Sequence, residues 1–309
     1  MLDDRSLGLD QVACDGCGLC RPACPEGAID IPLPVAVVSA GTEELAFAAC
    51  EYSDARSGAG SLPCVHAIGW QEILQLYRRG VRRLVACSAG CDDCPRGGAM
   101  RLDSRIEALN RALAAAGGET MELLWTFAAE WERRMGRSRK QPSGPVLDRR
   151  GFLRALSGTT AEENAPVSLL FGRESARFQP PGRTLSAITA GIVPWSPWID
   201  ASRCNGCDAC IRVCPHGALL LERGADGMRY RLVPEECTGC SLCVDLCDRD
   251  VMRIREWDSA SLRTLPLGER VCRVCGVPFH EPEPLPETAE PRCRICRRKQ
   301  GRGNLYQVL

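Results

Sequence analysis

Apolar positions fall into short runs, and their spacing divides the chain. Val35–Val38 is an unbroken apolar run, the pattern of a buried strand, and Gly41 to Cys50 reads as the helix after it. Trp70 to Gly80 has helical periodicity and a glycine stop, and Val81–Ala86 returns as a strand. Arg101 to Ala116 predicts a second amphipathic helix, with Ile106, Leu109 and Leu113 on one face and Gly117-Gly118 at its end. Met121–Phe127 predicts one more strand. The alternation points to a three-layer α/β domain over residues 34–135, a parallel sheet with helices on both faces.

Further on the periodicity breaks, and residues 136–198 read as a connector. Arg137–Pro145 is polar and Pro/Gly-punctuated, a short basic helix is expected from about Asp148 to Leu156, and Phe178–Arg183 and Val193–Trp198 read as extended. Trp195 and Trp198 are expected to pack against the module that follows. Arg149-Arg150-Gly151-Phe152-Leu153 matches a twin-arginine signal. It lies mid-chain, however, and Ser157–Asn164 stands where the apolar region would be. No stretch approaches the roughly twenty apolar residues of a spanning helix, and Met1–Arg5 is polar. The expectation is a cytoplasmic protein with no membrane span.

Composition changes the picture in one respect. Of 309 residues, 21 are cysteine, in groups of four, five, eight and four. Their C-x2-C spacings are those of metal ligands, which predicts a reducing compartment rather than a disulfide framework. Lys plus Arg and Asp plus Glu both total 39, so net charge directs the chain toward neither nucleic acid nor an anionic membrane. Aromatics are only 5%, so metal–thiolate bonds take part of the folding work.

The densest group is Cys204, Cys207, Cys210 and Cys214-Pro215, then Cys237, Cys240, Cys243 and Cys247. This is the C-x2-C-x2-C-x3-C run of a two-cluster bacterial ferredoxin, present twice. Three thiolates on a tight loop reach one cubane, and the fourth serves the other cluster. The pattern predicts one [4Fe–4S] cluster on Cys204, Cys207, Cys210 and Cys247, and a second on Cys237, Cys240, Cys243 and Cys214. A third copy, Cys14, Cys17, Cys20 and Cys24-Pro25, stands without a partner half. Cys14, Cys17 and Cys20 are candidate ligands of a third [4Fe–4S] cluster; Cys24 or a cysteine of the next domain is the fourth. Near the C-terminus, Cys272, Cys275, Cys293 and Cys296 form C-x2-C-x17-C-x2-C, a zinc-ribbon spacing. Rubredoxin-type iron fits the same sulfurs, but the second knuckle lacks the usual Pro and Gly, which favours Zn2+. Arginines flank these thiols, yet Glu281–Glu290 beside them is acidic, so a docking module or a solvated face is expected rather than a nucleic-acid reader.

The α/β stretch carries Cys50, Cys64, Cys87, Cys91 and Cys94. The last three follow a predicted strand, whose C-terminal end is where an open α/β sheet presents ligands. Cys87–Cys94 is expected on an exposed loop, the side open to a partner. Cys64 and Cys50 are further metal-ligand candidates, and His66 is expected to be a satisfied or surface histidine.

Phe47-Ala-Ala-Cys50-Glu-Tyr52, Leu62-Pro-Cys64, Gln71–Leu74, Arg79–Val81 and Leu84–Cys87 resemble the delta subunit of methyl-viologen-reducing hydrogenase over about a hundred residues. Members of that family pass electrons between a hydrogenase or formate dehydrogenase and a heterodisulfide-reductase-like flavoprotein. The resemblance implies a [2Fe–2S] cluster on four of the five cysteines. It also implies a dehydrogenase or hydrogenase partner and a flavoprotein or ferredoxin-type acceptor. The family has Cys-x-x-Cys where this chain has Cys50-Glu-Tyr-Ser53, so Cys91 or Cys94 would replace the missing thiol.

The expected fold class is therefore α/β plus α+β. A single cluster motif occupies residues 1–33, the α/β domain 34–135 and the connector 136–198. A two-cluster ferredoxin domain follows over 199–256 and a zinc-ribbon-like knuckle pair over 262–309. No nucleotide-binding fingerprint, nucleophile motif or His-rich catalytic site is present. The expected role is an electron-transfer subunit without catalytic residues of its own. A nucleic-acid-binding iron–sulfur sensor and a cluster scaffold are the alternatives.

Overall fold

The computed structural model describes residues 2–3, 6–10, 12–40, 42–55, 58–92, 94, 96, 101–140, 167–170, 178–189, 191–285 and 290–299. The chain forms two compact units, residues 1–179 and 180–309.

The first unit begins with a small ribbon of β1 (Leu2–Asp3) and β2 (Ser6–Leu7), then the helical turn α1 (Cys20–Ala23). Its core is a six-stranded sheet. The strands are β3 (Val35–Ala40), β4 (Glu43–Cys50), β5 (Ser61–Leu62), β6 (Val81–Cys87), β7 (Glu122–Thr126) and β8 (Val167–Leu170). Their order is β7-β6-β4-β3-β8, with β5 beside β4.

Glu43–Cys50 is a strand and not the expected helix. Its Glu, Leu and Ala residues favour helix, but Ala40 pairs directly with Glu43, so residues 41 and 42 alone separate two antiparallel strands. Burial between β3 and β6, with Phe47 at 0% exposure, outweighs that local preference. The sheet is consequently mixed. β4, β5, β6 and β7 run parallel, while β3 is antiparallel to both β4 and β8.

Both sheet faces are buried, as the unbroken apolar runs require. Ala36, Val38, Phe47, Ala49, Val85 and Cys87 pack against Trp131 and Met135 of α4 (Ala128–Lys140). On the alternate face Val35, Val37, Ala46, Ala48, Leu84 and Ala86 are equally buried. The remaining helices are α2 (Trp70–Arg78), with Ile73, Leu74 and Leu76 buried, and α3 (Leu102–Ala115), with Ile106, Leu109 and Leu113 buried.

The stretch read as a connector contributes structure. α4 runs on through Lys140, β8 adds a strand to the sheet, and Pro181–Ile188 is a helix, α5, where an extended segment was expected. Pro181 sits at the first helical position, where its missing N–H costs nothing. The twin-arginine match and the expected helix from Asp148 to Leu156 lie outside the described residues.

In the second unit β9 (Ile192–Ile199) pairs antiparallel with β12 (Met252–Ser259). The two strands flank the cysteine runs, which carry the short helices α6 (Ala209–Val213) and α7 (Leu242–Asp245). A four-stranded sheet joins β10 (Leu219–Gly224), β11 (Gly227–Leu232), β13 (Arg263–Val271) and β14 (Pro278–Pro282). The C-terminal hairpin, followed by α8 (Arg294–Lys299), thus continues the sheet that begins between the two cysteine runs. Tyr230, Leu219, Met228, Val251, Met252 and Leu267 centre the core. Among the described residues no helix is long and apolar enough to cross a membrane.

Candidate iron–sulfur and metal sites

Three loops share one backbone. Gly16, Gly206 and Gly239 stand at φ 69°, 65° and 75°, and Gly18, Asp208 and Ser241 at 76°, 60° and 62°. After each short helix Gly27, Gly217 and Asp250 return to positive φ, at 60°, 70° and 51°. Left-handed residues set among right-handed ones turn successive N–H groups inward, forming a nest for an anionic group. A cubane with four thiolates is anionic, so the loops suit it. Glycine fills the first of these positions in all three copies, whereas Asp208, Ser241 and Asp250 tolerate the conformation elsewhere.

In the second unit the eight cysteines gather at two small cavities, each of about 20 Å³. Cys204, Cys207, Cys210 and Cys247 line the first; Cys214, Cys237, Cys240 and Cys243 line the second. Each set takes three sulfurs from one run and one from the other. Burial, followed by the neighbouring sulfurs, pushes the Cys210 thiol up to about 12. Burial likewise pushes Cys237 up to about 12 and Cys243 to about 11. Thiols crowded in this way become thiolates readily only with positive charge among them, the condition iron ions would supply. Donor set and cavities therefore fit two iron–sulfur clusters.

Covers over these loops come from distant sequence. The Trp195 ring lies against Gly239, where a Cβ would come within 2.7 Å of it, so this tryptophan does pack on the module. At Gly206 a Cβ would collide with the His280 carbonyl oxygen. His280 Nε2 also lies 2.8 Å from Asp208 Oδ1, which accepts the Tyr230 hydroxyl at 2.6 Å. Burial and that carboxylate raise the Tyr230 phenol well above its ordinary range. Sequence reading missed Asp208, Tyr230 and His280. The one available signal was Asp208 at a position that holds glycine in the N-terminal run.

At the C-terminal site the sulfurs of Cys272, Cys275, Cys293 and Cys296 all lie within 4.8 Å of one another, and the Cys275–Cys293 separation is 3.7 Å. Tetrahedral coordination with metal–sulfur bonds of about 2.3 Å puts the sulfurs about 3.8 Å apart. This tetrad fits a single metal ion. The Cys293 N–H reaches Cys272 Sγ at 3.3 Å, and backbone donors led by that group bring the Cys272 thiol down to about 6.

In the first unit Cys14 and Cys20 are exposed, and Cys17 and Cys24 half-buried. The α/β thiols cluster at one sheet edge. Cys50 ends β4, Cys64 follows β5, and Cys87 ends β6 in register with Ala49. Of the thiols expected on an exposed loop, Cys87 is instead the last residue of β6, 0% exposed among Phe47, Val85 and Met135, while Ala89, Gly90 and Asp92 beyond it are exposed. Cys91 and Cys94 are half-buried. His66 is buried and satisfied. Its Nδ1 accepts the Leu102 N–H at 3.0 Å, and its Nε2 lies 3.2 Å from Cys91 Sγ. A nitrogen accepting at Nδ1 leaves the proton on Nε2, which makes His66 a donor to the Cys91 sulfur. Burial lowers its basicity.

Arg96 ties this edge to the N-terminal loop, another residue missed from sequence. Its guanidinium pairs with Asp15 at 2.7 Å and with Glu51, and donates to the Pro63 and Asp15 carbonyls at 2.9 and 2.8 Å. Those partners neighbour Cys14, Cys17, Cys50 and Cys64. The Cys64 thiol, raised chiefly by burial, also responds to Cys50, Cys91 and Cys17.

Two family models match the chain. Residues 196–248 match the 4Fe-4S dicluster domain and residues 9–30 the 4Fe-4S binding domain. A search of the curated proteins finds no match.

Proposed function

We propose that this chain is a multi-cluster electron-transfer subunit that depends on a catalytic partner. The observation that carries the reading is the pair of cavities, each lined by three cysteines of one run and the fourth of the other. Cys204, Cys207, Cys210 and Cys247 would hold cluster I, and Cys237, Cys240, Cys243 and Cys214 cluster II. Cys14, Cys17 and Cys20 would hold a third [4Fe–4S] cluster, with Cys24 or Cys64 as its fourth ligand. Four of Cys50, Cys64, Cys87, Cys91 and Cys94 would hold a [2Fe–2S] cluster, and Cys272, Cys275, Cys293 and Cys296 one Zn2+. When bound, each cluster supplies a one-electron centre. The protein fixes the ligands, covers the loops and sets the charge around them.

The resemblance of residues 47–87 to hydrogenase-associated delta subunits supplies the partner class. A formate dehydrogenase or hydrogenase would donate and a flavoprotein or ferredoxin-type protein would accept, or the reverse. Arginines near the C-terminal thiols favour this relay over a nucleic-acid reader, because they are engaged within the chain. Arg297 pairs with Glu281, Arg298 with Asp248, and Arg273 and Arg292 with Glu290.

Metal analysis and redox titration of anaerobically prepared protein test the reading. The expected content is about twelve irons for three cubanes, about two more for a [2Fe–2S] centre, and one zinc, with several reversible one-electron couples. About eight irons after full reconstitution would remove the N-terminal cluster. Iron that passes to an apo-acceptor instead of cycling would make the protein a scaffold.

A further inference from the structure

The two cavities of the second unit lie in different fields. Arg249 lines the Cys204–Cys247 cavity, and Arg294 Nη1 donates to the carbonyl oxygen of Cys207, itself a lining residue, at 2.6 Å. Arg298 pairs at 2.8 Å with Asp248, next to Cys247, and Arg203 donates to the Arg249 carbonyl. Against these four arginines stand Asp248 and Asp208, and Asp208 is already bound by Tyr230 and His280. Among the described residues no lysine or arginine lines the Cys214–Cys243 cavity; the acidic residue there is Glu236, paired with Arg183.

We propose that Arg294 is a positioning residue that raises the reduction potential of cluster I above that of cluster II, so that an electron shared by the pair rests on cluster I. The proposal rests on the ligand assignment above. Reduction adds negative charge, and a nearby cation stabilises the reduced form more than the oxidised one. Arg294 acts through the backbone of a ligand residue, so its charge is held at one end of the dicluster and not at the other. The residue lies between Cys293 and Cys296 on α8, so its place depends on the C-terminal tetrad. The four-cysteine module thereby becomes part of the redox site. It carries the cation to a loop about ninety residues earlier in the chain, the Cys207–Arg294 separation being 87.

Spectroscopically monitored redox titration of the full-length anaerobic protein tests this. Cys247→Ser identifies the cluster I couple by its disappearance, and Cys214→Ser identifies that of cluster II. In the unsubstituted protein the cluster I couple should be the higher. Arg294→Gln should lower it by about tenfold in the equilibrium, about 59 mV for one electron, and leave the cluster II couple in place. Arg294→Lys should restore most of the loss. If Arg294→Gln fails to fold, withdrawing the C-terminal metal from the unsubstituted protein should lower the same couple alone. A cluster I couple below cluster II, equal movement of both couples, or no movement in a protein with both clusters loaded would overturn the proposal. Absence of the two clusters from the unsubstituted protein would instead overturn the ligand assignment.

Discussion

The N-terminal cysteine run and the tandem runs have the same loop and different surroundings. Gly16, Gly206 and Gly239 stand within about ten degrees of one another in φ. Yet a Cβ on Gly16 would meet nothing within 4 Å, while one on Gly206 or Gly239 would strike the His280 carbonyl or the Trp195 ring. Cys14 and Cys20 are exposed, whereas Cys237 and Cys243 are buried. Local sequence thus makes the nest, and distant sequence decides whether it is covered. A covered site keeps water from the sulfurs; an open one brings the centre close to a partner. In the first unit the contrast recurs between thiols, Cys87 being enclosed while Cys14 and Cys20 are exposed.

The sharpest division concerns the fourth thiol. Cys214 lines the cavity of the Cys237–Cys243 loop, so Cys214→Ser should remove that cluster, about four irons, and spare the one on Cys204, Cys207 and Cys210. The N-terminal run has no partner half. Cys24→Ser should therefore affect its own loop or nothing, with Cys64→Ser giving the complementary result. Iron counts and cluster spectra of the three variants read the outcome. Loss of only the Cys204–Cys210 cluster in Cys214→Ser would refute the crossed pairing.

Glycine replacements probe the covers next. Gly206→Ala combines left-handed strain of about 1–2 kcal/mol with overpacking against a backbone carbonyl, about 1–3 kcal/mol. Cluster I should be lost at lower denaturant or temperature, and the combined cost should be about 3 kcal/mol. Gly239→Ala meets a side-chain ring that can shift, so about 2 kcal/mol is expected. Denaturation followed at the cluster absorbance measures both. Equal, small effects at the two positions would mean that the covers carry no weight.

What the sequence disclosed follows from how local each signal is. Cysteine spacing and glycine position are local, and both runs and the tetrad were legible from them. Helices 70–78 and 102–115 were legible because their periodicity survives in isolation. Residues 43–50 were misread because a helix-favouring composition lost to burial between two strands. Phe178–Arg183 reads as extended from its paired prolines, whereas Pro181 starts a helix. The His280–Asp208–Tyr230 contacts and the Trp195 cover join residues tens of positions apart, and no spacing rule encodes them.

Arg96 tests the seam inside the first unit. Its side chain is 6% exposed, whereas Asp15 and Glu51 are 49% and 46% exposed and can take up water if it is removed. Arg96→Met should therefore cost only about 1–2 kcal/mol, mainly for the carbonyls of Asp15 and Pro63 left without a donor. The N-terminal cluster should become the more readily lost of the first unit's centres, while the second unit's clusters keep their stability. Chelator challenge followed by cluster-resolved spectroscopy distinguishes the two.

The smallest effect belongs to Gly16, and it isolates what the loop needs from what its cover needs. At φ 69° with open space around it, Gly16→Ala carries conformational strain and no collision, so about 1 kcal/mol is expected. Asparagine tolerates the left-handed region better than alanine, so Gly16→Asn should cost only a few tenths of a kcal/mol. The second and third left-handed positions already hold Asp208, Ser241 and Asp250, which shows that the nest accepts side chains at those positions. Stability of the N-terminal cluster in Gly16→Ala and Gly16→Asn, set beside Gly206→Ala, makes the measurement. A Gly16→Ala cost as large as that of Gly206→Ala would mean that backbone conformation alone makes glycine necessary, and that the His280 contact is incidental.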